Sequence, residues 1–100
     1  MIPSVTGAKR FSPVAAILDG VQLPDGYAEV KGALEREYRF QDFAEALAFV
    51  NRVGELAERE GHHPDIEMHW NQVKLRWWTH ARDAITERDN ELAALSNELA

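Results

Sequence analysis

The spacing of apolar residues changes period twice along this chain, and that change constrains the fold more than any other feature. Leu34, Arg36, Tyr38 and Phe40 alternate with Glu35, Glu37 and Arg39. A period of two puts successive side chains on opposite faces of a strand. The next segment, "DFAEALAFVNRVGELAEREG", carries Phe43, Leu47, Val50, Val53 and Leu56-Ala57 at helical spacing. Alternation then returns. Ile66, Met68 and Trp70 oppose Glu67 and His69. Beyond Asn71-Gln72, Val73, Leu75, Trp77 and Thr79 oppose Lys74, Arg76, Trp78 and His80. With "YAEV" before Lys31-Gly32, the pattern predicts two hairpins separated by one long helix.

Local signals mark the element ends. Asp42 with Glu45 has capping-box spacing, and Gly61 suits a helix terminator. The long helix's stripe reads as core against a sheet rather than as a cofactor face. "SPVAAILDG" predicts a short first helix, capped by Ser12, opened by Pro13 and ended by Gly20. "TERDNELAALSNELA" predicts a last helix, with Thr86 and Asp89 at capping-box spacing and Leu92, Leu95, Ser96 and Leu99 facing inward. Residues 1–11 lack periodicity and read as a loose arm before a single domain spanning 12–100. The order helix–strand–strand–helix–strand–strand–helix predicts an α+β fold, a four-stranded antiparallel sheet with helices on one face. Adjacent Trp77 and Trp78, one on each face, predict that both faces are partly covered.

Composition narrows the function. Seventeen acidic against eleven basic residues give a net charge of -6, which repels a phosphate backbone and argues against nucleic acid as a direct partner. The absence of cysteine excludes disulfides and thiolate metal sites. No apolar run approaches the ~20 residues of a membrane span, and "MIPSVTGAKRF" lacks a secretory apolar stretch. These readings predict a soluble cytoplasmic domain. At one hundred residues much of the surface stays exposed, so oligomerisation is a natural way to bury more.

Two of the four histidines, His62 and His63, stand side by side in "EGHHPD", between the long helix and the second hairpin. Adjacent imidazoles diverge in most backbone conformations, and common zinc spacings are absent, so no metal site is expected. No elbow motif places a serine or threonine near a histidine for nucleophilic catalysis. General acid/base chemistry fits better, because histidine titrates nearest neutral pH. His80, at the end of the last strand, can return toward the His62-His63 loop. Glu58, one helical turn before His62, can orient or polarise an imidazole. Spacing alone leaves the bland reading open: a solvated loop pair and a strand-end histidine. His69 reads as an ordinary non-core strand residue.

Glu58, His62-His63-Pro64, Trp70, His80 and Asp89, with "RFQDFAEALAFVNRV", "WNQV", "WTH" and "ITERD", together resemble the signature of the pterin-4a-carbinolamine dehydratase family. The resemblance covers roughly residues 32–98. It implies the same four-stranded fold, assembly as dimers or tetramers through sheet edges and helices, and a small-molecule pterin substrate. The implied activity is removal of water from 4a-hydroxytetrahydropterin to give quinonoid dihydropterin, a recycling step needing no metal or organic cofactor. The family's catalytic histidines match His62, His63 and His80, with His62 expected as the acid at the 4a-hydroxyl. Glu58, Pro64 and Asp89 match supporting positions, with helix capping as the plainer role for Asp89. Trp70 matches an aromatic position expected to pack structurally. "THARDAIT" departs from the family, with Ala81, Asp83 and Ala84 where relatives often carry Asp and a Gly-Gly turn. Relatives with the same fold but no dehydratase activity serve as RuBisCO assembly factors, and some double as transcription cofactors. An intact histidine set favours the enzyme.

Overall fold

The structure, a computed structural model, describes residues 22–100. The predicted arm at 1–11 and helix at 12–20 lie outside the described residues. The rest runs β1 (Ala28–Val30), β2 (Ala33–Arg39), α1 (Phe43–Glu60), β3 (Asp65–His69), β4 (Gln72–Trp77) and α2 (Glu87–Leu99). All three strand pairings are antiparallel and the sheet order is β1-β2-β4-β3, so each hairpin contributes one central strand. This is the α+β arrangement that the two period changes predict.

The first hairpin turns at Lys31 and Gly32, both at positive φ (49° and 82°), the backbone that a tight two-residue turn requires. Pairing of Leu34 with Trp77 and Tyr38 with Val73 puts four buried side chains on one sheet face. Phe49, Val53, Leu56 and Ala57 of α1 and Leu92 and Ala93 of α2 cover that face. Arg36 shares the face but is not stranded there. Its Nη1 donates to Asn97 Oδ1 of α2 (2.6 Å) and to the Asp25 carbonyl (2.9 Å). The opposite face is charged, with Glu35 paired to Arg76 at 3.1 Å.

Three expectations need correction. Phe43 and Leu47 are 50% and 42% exposed, and α1 instead buries Ala46, Phe49, Val53, Leu56 and Ala57. The run "FAEALAFV" offers two overlapping apolar stripes, and only the docked sheet selects one. On α2, Leu95 faces outward, while Asp89, Leu92, Ala93 and Ser96 are buried. Trp70 is not a packed strand residue. It occupies the β3–β4 turn at φ 50° and is 67% exposed. The turn sits one residue earlier than its pattern suggests because Asn71 clasps Phe40. The Asn71 carbonyl accepts from Phe40 N (2.8 Å), and Asn71 Nδ2 donates to the Phe40 carbonyl (2.9 Å).

Candidate active site

The site begins with the end of α1. Asp42 Oδ1 caps the helix start by accepting from Glu45 N (2.9 Å). At the other end Gly61 adopts left-handed backbone (φ 64°), and His62 N donates back to the Ala57 carbonyl (3.1 Å). This closure reverses the chain immediately before the histidine pair. It fixes where His62 and His63 leave the helix, and Pro64 then leads into β3.

The second contribution comes from the far end of β4. Backbone bonds from Thr79 N to the Ala84 carbonyl (2.8 Å) and from Ala84 N to the Thr79 carbonyl (3.3 Å) pinch off a tight loop. His80 opens that loop. Asp83 within it holds positive φ (51°), a conformation Asp tolerates better than most residues. The loop therefore closes without a glycine.

His62, His63 and His80 line one cleft of about 210 Å³, together with Gly61, Trp78, Thr79 and Ala81. The cleft is smaller than the ~300–1,000 Å³ typical of pockets that enclose drug-sized ligands. It can receive the edge of a flat heterocycle and leave the remainder in solvent.

Each histidine is held differently. His62 is largely buried and its Nε2 lies 2.7 Å from Asp89 Oδ1. Its ring stacks near Trp77, centroids 6.0 Å apart. Asp89 is fully buried, and its other oxygen accepts from Thr79 Oγ1 (2.8 Å) and Thr86 N (2.8 Å). Thr79 and Thr86 hydroxyls are themselves 2.7 Å apart. With one proton committed to Asp89, Thr86 donates to Thr79. Asp89 thus caps α2 and also grips His62, so its capping and site roles are one arrangement. A carboxylate can only accept, so the His62 nitrogen facing it is the protonated Nε2. Among the described residues nothing bonds Nδ1, the nitrogen left to exchange a proton with a bound molecule.

His63 Nε2 lies 2.6 Å from Glu58 Oε2, with both side chains more than half exposed. Among the described residues His80 has no carboxylate at its ring. Its neighbour is the Trp78 indole, with ring centroids 4.3 Å apart. Arg88 ties the start of α2 to the end of α1 through the Glu60 carboxylate, which holds the Glu60 carboxyl below its ordinary range.

Of the expected site residues, His62, His63 and His80 line the cleft, Asp89 and Glu58 bond to His62 and His63 from outside its lining, and Pro64 follows the pair in sequence. Trp70 belongs to the β3–β4 turn and is not among the residues lining the cleft. Trp78, Thr79 and Thr86 were not expected. The placement of Thr79 beside Trp77 on the core-facing pattern was the available signal for one of them. No three His, Asp or Glu residues cluster as a metal site among the described residues. No described helix is long and apolar enough to cross a membrane.

The sequence profile described as Pterin 4 alpha carbinolamine dehydratase matches residues 15–99. The chain belongs to this dehydratase family. A relative from Syntrophotalea carbinolica, named for pterin-4-alpha-carbinolamine dehydratase, is 46% identical over 82 residues, which are 82% of this chain and 64% of the relative. Another from Gloeobacter violaceus with the same enzyme name is 47% identical over 72% of this chain and 64% of its own length. The match therefore spans just under two thirds of these relatives. Among solved structures, a transcriptional coactivator/pterin dehydratase from Brucella melitensis superposes with a TM-score of 0.74 at 32% identity, covering 77% of this chain and 84% of that one. A pterin dehydratase-like protein described as a RuBisCO assembly factor in the alpha-carboxysome gives 0.63 at 23% identity, covering 74% and 86%. This second likeness concerns the dehydratase fold alone.

Proposed function

We propose that this family member is a hydro-lyase that removes water from 4a-hydroxytetrahydropterin by histidine acid/base catalysis. The observation that carries this reading is the convergence of His62, His63 and His80 on one cleft, with His62 oriented by a buried carboxylate. In the reaction the C4a–O bond breaks and the hydroxyl departs as water after accepting a proton. A ring N–H gives up its proton, and its electron pair forms the new C=N bond of the quinonoid product. The elimination needs one acid, one base and no redox partner. We assign His62 as the acid at the hydroxyl, because the buried Asp89 carboxylate holds its Nε2 and so fixes how the ring is presented to the cleft. His63 and His80 bind the ring and handle the second proton. Glu58 supports His63, and Pro64 sets where the pair meets β3.

The test is dehydration of freshly generated 4a-hydroxytetrahydropterin by wild type beside His62→Ala and His80→Ala. Fast turnover, lost in folded variants, is the expected result. A folded wild type with no turnover above the uncatalysed rate would sink the assignment.

A second reading, a partner-binding protein of the same fold, is favoured by exposed apolar side chains: Phe43, Leu47, Ile66 and Trp70. A partner that covered these side chains would remove their apolar surface from water. Together with the edge of β3, which no strand among the described residues pairs, they also support a homodimer or homotetramer, which light scattering on the purified chain would measure. Pterin turnover by wild type separates the enzyme reading from the purely binding one.

A further inference from the structure

Among the described residues, His62 is held by Asp89 and His63 by Glu58, while His80 rests on an aromatic ring. His80 is also exposed and lies on a short loop. An unrestrained imidazole there samples several rotamers, and acid/base work requires one that reaches the transferred proton. We propose that Trp78 is the positioning residue for His80.

The indole is itself fixed. Trp78 follows the buried Trp77 and is half-buried on the opposite side of the chain. The Arg76 guanidinium lies 5.6 Å from the Trp78 ring centroid, within the range of a cation–π contact. Arg76 Nη2 donates to the Val30 carbonyl (2.9 Å) and the Lys31 carbonyl (3.3 Å) of the first hairpin turn. A line of contacts therefore runs from the β1–β2 turn through Arg76 and Trp78 to His80. The sheet holds the indole, and the indole holds the imidazole at 4.3 Å and a 42° tilt. An aromatic pair of ordinary strength enriches one rotamer roughly 2- to 13-fold. Trp78 acts through His80 rather than by touching the reacting atoms, although its ring also borders the cleft.

The inference rests on the dehydratase reading for its kinetic consequence but not for its structural one, so two measurements separate them. By NMR, the His80 ring protons should be displaced by the indole ring current in wild type. They should return toward free-imidazole positions in Trp78→Leu, while those of His62 and His63 stay in place. His80 resonances that do not move overturn the proposal whether or not the protein turns over pterin. By kinetics, Trp78→Leu should lower kcat roughly 3- to 10-fold with KM little changed. Trp78→Phe should restore most of the loss, and it also serves if the leucine variant folds poorly. In a His80→Ala background, Trp78→Leu should cost nothing further. An equal loss in that background, in kcat or in KM, would show that Trp78 acts on the substrate directly and overturn the positioning role. A wild type without turnover removes the dehydratase reading and leaves the NMR comparison to decide the contact.

Discussion

His62 Nε2 and Asp89 Oδ1 lie 2.7 Å apart although 27 residues separate them, and the carboxylate that joins them is fully buried. The same carboxylate accepts from Thr79 and Thr86, so one group joins α1's exit, β4's end and α2's start. Asp89→Asn keeps the shape but replaces one acceptor oxygen with a donor. At least one of the three donors around it must then face an N–H. The expected cost is about 1–3 kcal/mol of stability, read from the urea midpoint. Activity should fall by about 10- to 100-fold, because acid/base steps contribute on the order of 10²–10⁴ and the imidazole keeps only part of its orientation. Unchanged turnover in a folded Asp89→Asn protein would mean that the carboxylate serves α2 alone.

The His63–Glu58 pair is as short, at 2.6 Å, but more than half exposed. Exposed ion pairs contribute about 0–1 kcal/mol, so Glu58→Gln should barely move the unfolding midpoint. Its effect should appear in kcat, and should shrink in a His63→Ala background because the two share one interaction. The contrast with Asp89 is sharp: one carboxylate matters to fold and chemistry, the other to chemistry. A Glu58→Gln variant that loses stability but retains full turnover would reverse that assignment.

Much of this was legible in the chain. The switch of apolar period located two hairpins around α1, and the Asp42 and Gly61 signals located its ends, because these depend on neighbours close in sequence. The histidine cluster was legible through spacing and family likeness. Burial on α1 was not. Phe43–Leu47 and Ala46–Phe49 are equally good helical stripes until a sheet covers one. Trp70 misled for a similar reason: its place in the alternation is cut off by Asn71 bonding to Phe40, a contact between residues 31 apart. Thr86 was legible as the capping partner of Asp89, and Trp78 and Thr79 within "WTH", but not what their side chains touch. Their roles appear only when the end of β4 meets the start of α2 and the His80 loop.

Gly26 offers a test of how the first hairpin is anchored. It has φ 79°, and an added Cβ would lie 2.5 Å from Arg36 Nε and 2.7 Å from Arg36 Cδ. Arg36 has little freedom to retreat, since it bonds Asp25 and Asn97 and lies 4.4 Å over the Tyr38 ring. Gly26→Ala should therefore cost about 2–3 kcal/mol, combining left-handed backbone strain with displacement of Arg36. Gly32→Ala is the control. It shares the positive φ (82°) but meets nothing within 4 Å, so only the backbone part, about 1 kcal/mol, should be lost. Equal urea midpoints for the two variants would show that Arg36 moves aside without cost.

Alkaline stability should report on the buried tyrosine pair. The Tyr38 hydroxyl donates to Asn97 Oδ1 (2.5 Å) and lies 2.9 Å from the Tyr27 hydroxyl. Burial pushes the pKa of both phenols up, and for Tyr38 the neighbouring Tyr27 adds to the rise. The folded state therefore favours the neutral phenols. Their contribution is fully present below the unfolded value of about 10 and is lost as pH climbs toward the higher folded values. Above about pH 10, each phenol that ionises only on unfolding should remove roughly 1.4 kcal/mol per pH unit. Tyr38→Phe should lower stability near neutral pH by losing its bond to Asn97, yet flatten the decline above pH 10. Urea midpoints taken across that range for wild type, Tyr27→Phe and Tyr38→Phe make the comparison. A wild-type decline no steeper than that of the variants would show that these hydroxyls ionise within the folded protein.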